Sequence, residues 1–454
     1  MTLPARTETH AGDLPGPDRE AITARRTVRL SRPLIPVLVG VLVILQVFSP
    51  ARPILYVLCV LLGSLGIGYY WARQLRDGLC LKRERRYGWA QVGDVIEERF
   101  TLINDALVPS LWAEIRDHST LPGYTGSRVA SVDGHSATRW NTEGFCRRRG
   151  VFTLGPLSIH TADPLGQFSV TIRYPYQDTY TVYPTISTLP AIELPSGDSG
   201  GTSRTHRRAW ELTAEVASVR PYLPGDALSR IHWRSTARHE ALQVKNFDLR
   251  PSGDLWLILD LEAAAQLGEA QQSTEEYAVV LAASLAYRAL RENRAVGLVS
   301  SDAQKTMLRP TKGRAQLWPI LRTLARVSAD GALPLDLVLE EVAPTLGRGV
   351  TAVVITPALE AAWLGGLLLL KRYGISSSAV LLDRESFGGQ GSARTTAALL
   401  AEYGVASHII TQGHRFDPLL PHRQQRPILK VLATGRVLVI PPTERRRHRT
   451  VGGP

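Results

Sequence analysis

Two apolar runs stand near the head of the chain. Residues 34–48 (LIPVLVGVLVILQVF) and residues 54–71 (ILYVLCVLLGSLGIGYYW) are separated by Ser-Pro-Ala-Arg-Pro and little else. A helix crossing the ~30 Å hydrocarbon core needs about 20 residues, and the flanking Pro, Ser and Ala bring each run close to that length. Tyr69, Tyr70 and Trp71 close the second run, where an interfacial aromatic belt would lie. The pattern predicts a transmembrane helical hairpin over residues 33–72. A secretory signal does not account for two runs in tandem after a long polar stretch. A buried helical hairpin is the alternative.

Beyond the runs the period changes. From about residue 93 to 190, short alternating segments sit between Gly- and Pro-containing turns, with strands expected at 95–103, 111–117, 128–132 and 179–183, and further alternation around the Gly155-Pro156 break. Short, evenly spaced strands predict a β-sandwich domain, assigned to residues 88–190. Residues 196–208 (SGDSGGTSRTHRR) are rich in Gly, Ser and charge, and a linker is expected over 191–216. From residue 254 onward strands and helices alternate. Strands are expected at 254–261, 295–301, 350–356, 377–382 and 406–411, with helices at 274–293, 315–328, 358–373 and 393–403. Ser273 and Glu276 form a capping box ahead of the first of these helices. Such alternation predicts a mainly parallel sheet covered on both faces, hence an α/β domain. The fold class expected is multidomain, α/β plus β, behind the hairpin.

Charge sets an orientation for the hairpin. Arg19, Arg25, Arg26, Arg29 and Arg32 precede the first run, and Arg73, Arg76, Lys82, Arg83, Arg85 and Arg86 follow the second. The connecting turn carries only Arg52. The positive-inside bias puts both ends, and with them the soluble domains, in the cytoplasm of a two-helix cell-membrane protein. The 454 residues carry a formal net charge of +12, from 53 basic against 41 acidic residues. Much of the excess flanks the runs or lies in the tail, so membrane lipid is the expected anionic partner rather than nucleic acid. Cys59, Cys80 and Cys146 share no metal-ligand spacing, and their odd number argues against a disulfide framework. Arg147, Arg148 and Arg149 read as the solvated end of a hairpin, or as a surface that docks an acidic partner.

The segment 220–245 (RPYLPGDALSRIHWRSTARHEALQVK) holds the densest pattern. Pro224-Gly225 suits a turn and Asp226 a helix cap. On the helix that follows, Arg230, Arg234 and Arg238 fall at i, i+4 and i+8 and share a face, with Ile231 and Trp233 as apolar anchors. Two readings stay open. The arginines grip carboxylates or phosphates bidentately, or they pair with acidic residues and clamp the domains. His232 and His239 have no partners at metal-ligand spacing.

Two stretches resemble the bacterial domain of unknown function 58 family. One is Arg149 to Pro156 (RGVFTLGP), followed by Asp163-Pro164-Leu165-Gly166-Gln167-Phe168 and Val182-Tyr183-Pro184. The other is Arg220-Pro221-Tyr222-Leu223-Pro224-Gly225-Asp226, followed by Ile231-His232-Trp233-Arg234 and Ala237-Arg238. The paired apolar runs match that family as well. The resemblance implies a von Willebrand factor type A-like α/β domain and partnership with an AAA+ ATPase of the MoxR type, in assembly or chaperoning of protein complexes. It makes Arg220, Tyr222, Gly225, Asp226, Arg230, His232, Trp233, Arg234, Ala237 and Arg238 the family-motif or partner-binding residues. In type A domains an Asp-x-Ser-x-Ser motif binds Mg²⁺ through hard oxygen ligands. Here that position reads Asp260-Leu261-Glu262-Ala263-Ala264, without either serine, and the later Thr-Asp-Gly element reads Thr356-Pro357-Ala358. The metal motif at Asp260 and Glu262 is degenerate, so no metal or other cofactor is expected.

No P-loop, G-x-S-x-G or H-E-x-x-H is present, and no catalytic residue is assigned. The organisation expected is a basic cytoplasmic segment (1–32), two transmembrane helices (33–72), the β-sandwich (88–190), the linker (191–216), the motif and α/β domain (217–440) and a basic tail (441–454). The function expected is a membrane-anchored binding and scaffold protein with a MoxR-type ATPase and an unknown protein client. The alternative is a membrane-associated hydrolase or transferase, for which His232, Asp226 and Asp260 would have to converge.

Overall fold

The computed structural model describes residues 24–190, 192, 216–222, 231–239, 241–247, 253–360, 362–419, 428–431 and 437–440. The chain divides into two units at Pro184/Thr185, and the second unit runs Thr185–Leu420.

The first unit begins with β1 (Arg25–Leu30), α1 (Leu34–Phe48) and α2 (Arg52–Gly78). Ten strands follow: β2 (Leu79–Arg85), β3 (Trp89–Gln91), β4 (Val95–Asn104), β5 (Ser110–Asp117), β6 (Arg128–Val132), β7 (Ser136–Phe145), β8 (Gly150–Leu154), β9 (Leu157–Ala162), β10 (Phe168–Tyr174) and β11 (Asp178–Tyr183). They form a five-stranded sheet β1-β10-β9-β5-β6, a three-stranded sheet β2-β4-β7 and a smaller sheet β3-β11-β8. One core joins the first two. Leu81, Phe100, Leu102 and Trp140 from β2-β4-β7 pack with Ala113, Ile115, Ile159, Val170 and Ile172 from the five-stranded sheet. Alternation with period two puts these side chains inward, which is the sandwich arrangement.

Residues 25–30, expected to belong to a basic segment outside the folded domain, are instead an edge strand. β1 pairs antiparallel with β10 from Arg25↔Arg173 to Leu30↔Phe168. Arg26 fixes it further, its guanidinium donating to the carbonyls of Arg76 and Asp77 at the end of α2, both at 2.7 Å. The chain therefore leaves the sandwich through α1 and returns to the same sandwich through α2.

Helix α2 serves two environments. Its first half is apolar and exposed, while Ala72 and Leu75, with Leu79 just beyond, are fully buried in the sandwich core. Ser64, Gly68 and Ala72 recur every four residues, so they share one face, and that face meets the Asp163–Phe168 turn. Gln167 Nε2 donates to Ser64 Oγ at 3.2 Å. A Cβ on Gly68 would lie 3.2 Å from both Asp163 Oδ2 and Gln167 Oε1. Asp163 is buried and holds its own turn, accepting from the amides of Leu165 (3.0 Å) and Phe168 (2.6 Å). Among the described residues α2 is the one helix long and apolar enough to cross a membrane; α1, with 15 residues, is shorter.

The sandwich also encloses charge. Arg83 Nε and Nη2 donate to Glu98 Oε2 at 2.9 and 2.6 Å, Tyr124 donates to the same oxygen, and Asp117 Oδ2 lies 3.8 Å from Arg83. Of the three arginines 147–149, the first two are exposed, but Arg149 is buried, so the cluster is not a wholly solvated hairpin end.

In the second unit, β12 (Val216–Pro221) pairs antiparallel with β13 (Gln243–Phe247), and the short helix α3 (Trp233–His239) lies between them in sequence. The α/β layer contains β14 (Leu255–Leu259), α4 (Thr274–Arg291), β15 (Val296–Ser300), β16 (Thr306–Thr311), α5 (Leu317–Arg326), α6 (Leu335–Leu346), β17 (Thr351–Thr356), α7 (Ala362–Arg372), β18 (Ser376–Leu382), α8 (Ala393–Glu402) and β19 (Ala406–Ile410). The sheet order is β16-β15-β14-β17-β18-β19, parallel except for the antiparallel edge strand β16. β14 and β17 are buried along their whole length, as both-face burial demands. Ser273 caps α4 as expected, accepting from the Glu276 amide at 3.2 Å.

The boundaries differ from expectation at two places. Residue 187, assigned to the sandwich, packs on α4, its amide donating to Ser284 Oγ at 2.9 Å. The α/β unit ends at Leu420, and among the described residues β20 (Ile428–Val431) and β21 (Val437–Ile440) form a two-stranded sheet of their own. Residues 193–215 of the expected linker and the tail 441–454 lie outside the described residues.

Candidate functional site

The parallel sheet reverses its winding between β14 and β17, since the chain leaves β14 toward β15 on one side and leaves β17 toward β18 on the other. Ligand sites of open α/β sheets lie beyond the carboxyl ends of the strands at such a point. Asp260 is the first residue after β14 and is wholly buried. Thr356 Oγ1, from the end of β17, donates to Asp260 Oδ2 at 2.6 Å, and the Glu262 amide donates to Oδ1 at 3.2 Å. Burial pushes the Asp260 carboxyl up to about 6, against the lowering effect of these two bonds.

Residues after β14 are pinned in place. Ala263 N donates to Gly331 O and Gly331 N to Leu261 O, at 2.9 and 3.1 Å. Ser301 Oγ accepts from the Leu261 amide and donates to Leu259 O. Gly331 lies against the Ser301 carbonyl so closely that any Cβ would collide with it.

This loop turns Glu262 into a pocket that it lines with Asp336 (first turn of α6), Glu360 (before α7), Trp363 (in α7) and Arg384 (after β18). Burial, then Glu360 and Asp336, raise the proton affinity of Glu262. Trp363 Nε1 and Arg384 Nε are buried without a hydrogen-bond partner among the described residues. Asp260 and Glu262 thus have different jobs: the first ties strand ends together and the second faces the pocket. Among the described residues no group of three or more His, Cys, Asp or Glu is arranged to hold a metal ion. The sequence did not point to Asp336, Glu360 or Arg384, because each follows or precedes a different element. Glu360 and Arg384 carry one signal, their place after strand ends, and Asp336 its place in the first turn of a helix. The helix expected from residue 358 starts only at Ala362; Thr356 Oγ1 accepts from Ala358 N at 2.8 Å and holds 357–360 as the pocket loop.

The motif segment is only partly as read. Ile231 bridges to Val244 and is buried, His232 is not helical, and of the expected arginines Arg234 and Arg238 lie on α3, which starts at Trp233. At the start of α3 the His232 Nδ1 accepts from the Ser235 amide at 3.1 Å, as an N-cap side chain does. Gly225, Asp226 and Arg230 lie outside the described residues, as does the side chain of Arg220. Tyr222 is half-buried and its amide donates to Leu242 O. Trp233, expected as an anchor, is 68% exposed. Together Trp233, Arg234, Ala237 and Arg238 form the exposed face of α3.

Residues 218–374, from β12 through α7, match the family described as "Protein of unknown function DUF58". The chain carries a DUF58 domain. The DUF58 match contains Trp233, Arg234, Asp260, Glu262, Asp336 and Glu360. YeaD of Bacillus subtilis (strain 168), named as an uncharacterized protein, is 26% identical over 238 residues, covering 52% of this chain and 57% of YeaD. Uncharacterized protein Rv1480 of Mycobacterium tuberculosis (strain H37Rv) is 29% identical over 113 residues, covering 25% of this chain and 36% of its own length. The chain thus spans about half or less of these curated relatives. Among solved structures, proximal thread matrix protein 1 from the mussel byssus superposes with a TM-score of 0.27 and 12% identity, over 35% of this chain and 44% of that one.

Proposed function

We propose that this is a membrane-anchored, cytoplasm-facing binding and scaffold protein that works with a MoxR-type AAA+ ATPase on a protein client. The observation that carries the reading is the use made of Asp260. One oxygen joins the ends of β14 and β17 through Thr356, and the other holds the loop after β14 through the Glu262 amide, so the strand ends form a rigid platform rather than a reaction centre. The strand order, with a single antiparallel edge strand, supports the von Willebrand factor type A-like description. The exposed Trp233, Arg234 and Arg238 supply the side-chain types that dominate protein interfaces. Pairing of β1 with β10 supports two crossings, because the strands before and after the helices share one sheet. The basic flanks support the cytoplasmic side.

The test is gentle solubilisation of the protein from its native membrane, with identification of what co-purifies in the presence and absence of ATP. Recovery of a MoxR-type ATPase that changes with nucleotide is the expected result. Recovery of the protein alone sinks the scaffold reading. A second reading, a hydrolase or transferase at the membrane, draws on the pocket: Glu262 holds its proton more tightly than an ordinary carboxyl, beside the unspent donors of Trp363 and Arg384.

A further inference from the structure

Beyond the level at which the sandwich meets it, the helical hairpin is shorter than the bilayer core is thick. Ser31 N donates to Gln167 O and Gln167 Nε2 to Ser64 Oγ, so α1 starts level with Ser64 on α2. Above that level α1 is 15 residues long, or ~22 Å at 1.5 Å per residue. The stretch of α2 from Arg52 to Ser64 gives ~20 Å. The hydrocarbon core is ~30 Å thick. Counting α2 as far as Trp71 restores ~30 Å, but the two turns from Ser64 to Trp71 are already flanked on one side by the sandwich.

The part of the sandwich beside those turns is apolar on its outside. The Asp163–Phe168 turn meets α2 at Ser64 and Gly68 and carries exposed Leu165 at its tip. Leu30 ends β1 opposite Phe168 and is exposed. Trp71 Nε1 donates to Pro109 O at 3.2 Å, which sets the start of β5 at the level of Trp71, and Leu111 and Trp112 there are exposed. Exposed Arg29, Arg32 and Arg73 surround this rim.

We propose that the sandwich rim formed by Leu30, Leu111, Trp112 and Leu165 is sunk into the headgroup and upper acyl region of the bilayer, completing the thickness that the hairpin lacks. The inference rests on the membrane-anchor reading. The length deficit sets the depth, since interfacial apolar surfaces bury ~5–10 Å. Leucine and tryptophan fit that zone, and the arginines fit anionic headgroups at its edge. Because α2 runs unbroken into the sandwich core, the domain cannot swing clear without breaking the helix.

The test uses the full chain in a Cys59→Ala, Cys80→Ala background, with Leu165→Cys, Leu111→Cys or His118→Cys labelled by an environment-sensitive fluorophore. His118 is exposed just past the far end of β5. The protein is reconstituted in vesicles of phosphatidylcholine and phosphatidylglycerol. Labels at 165 and 111 are expected to be about fivefold less accessible to aqueous iodide than the label at 118, and to be quenched by brominated acyl chains. If 165 and 111 are as open to iodide as 118 while the protein resists carbonate extraction, the sunken rim is wrong and the anchor stands. Release by carbonate overturns the anchor and the rim together.

Discussion

The hydroxyl of Thr356 donates to Oδ2 of Asp260 at 2.6 Å, which ties the ends of two neighbouring strands by side chains as well as by their ladder. A carboxyl raised to about 6 by burial costs stability when ionised. Below pH ~4 the group is protonated in both folded and unfolded chains; between pH ~4 and ~6 the folded chain holds the proton longer, so stability falls as pH rises through this window. The loss is about 3 kcal/mol for a shift of this size. Asp260→Asn keeps an acceptor for Glu262 N and gains a donor for Thr356. Urea unfolding of wild type and variant from pH 4 to 7 is expected to show the variant gaining on wild type by that amount; parallel curves would refute it.

Gly68 is where α2 and the Asp163–Phe168 turn come closest. Gly68→Ala needs neighbours at 3.2–3.3 Å to give way slightly and is expected to cost about 1 kcal/mol, while Gly68→Leu reaches about 3 kcal/mol by overpacking. Hydrogen exchange at the Leu165 and Phe168 amides, both bound to Asp163, reads the effect directly. Unchanged protection in Gly68→Leu would refute the contact.

Glu98 neutralises Arg83 inside the sandwich. Glu98→Ala leaves the guanidinium with Asp117 at 3.8 Å as its remaining counter-charge and a bond to the Tyr124 hydroxyl at 3.3 Å, and a loss of about 3–5 kcal/mol is expected in thermal or denaturant unfolding. A loss under about 1 kcal/mol would mean that the pair behaves as a surface ion pair.

Trp233 and Arg234 are exposed on α3, so Trp233→Ala and Arg234→Ala are expected to leave folding unchanged. Each is expected to lower recovery of a bound partner at least about tenfold, as truncation of an interface anchor does. Circular dichroism with quantitative co-purification checks both halves; full recovery by both variants would remove α3 from the interface.

Burial in both units was written as periodicity, and so most strands and helices could be read from the chain. Elements that escaped have polar or interrupted patterns. β1 reads as Arg-Arg-Thr-Val-Arg-Leu, an edge strand with one face to solvent. β16 alternates half-buried and exposed residues at the other sheet's edge. α6 shows Leu335, Val338, Leu339, Val342 and Leu346 at helical spacing, but Pro344 disguises it. Asp260 was legible from its place after an apolar strand. The pocket neighbours of Glu262 were not, because Asp336, Glu360 and Arg384 meet only once the sheet is assembled. Trp233 misled because an apolar residue beside a helix ordinarily points inward, and here Ile231 takes that place.

The pairing of β1 with β10 also sets an order of events. Arg29 and Ser169 meet across 140 residues of chain, so the first strand synthesised waits for one of the last in its sheet. Everything between them, both apolar helices included, must be made before that edge can close. On the proposed anchoring, closure is then a proofreading step. A chain whose second helix failed to return would leave β1 and β10 on opposite sides of the bilayer, with an open edge and an incomplete sheet. Only a correctly inserted hairpin can finish the fold.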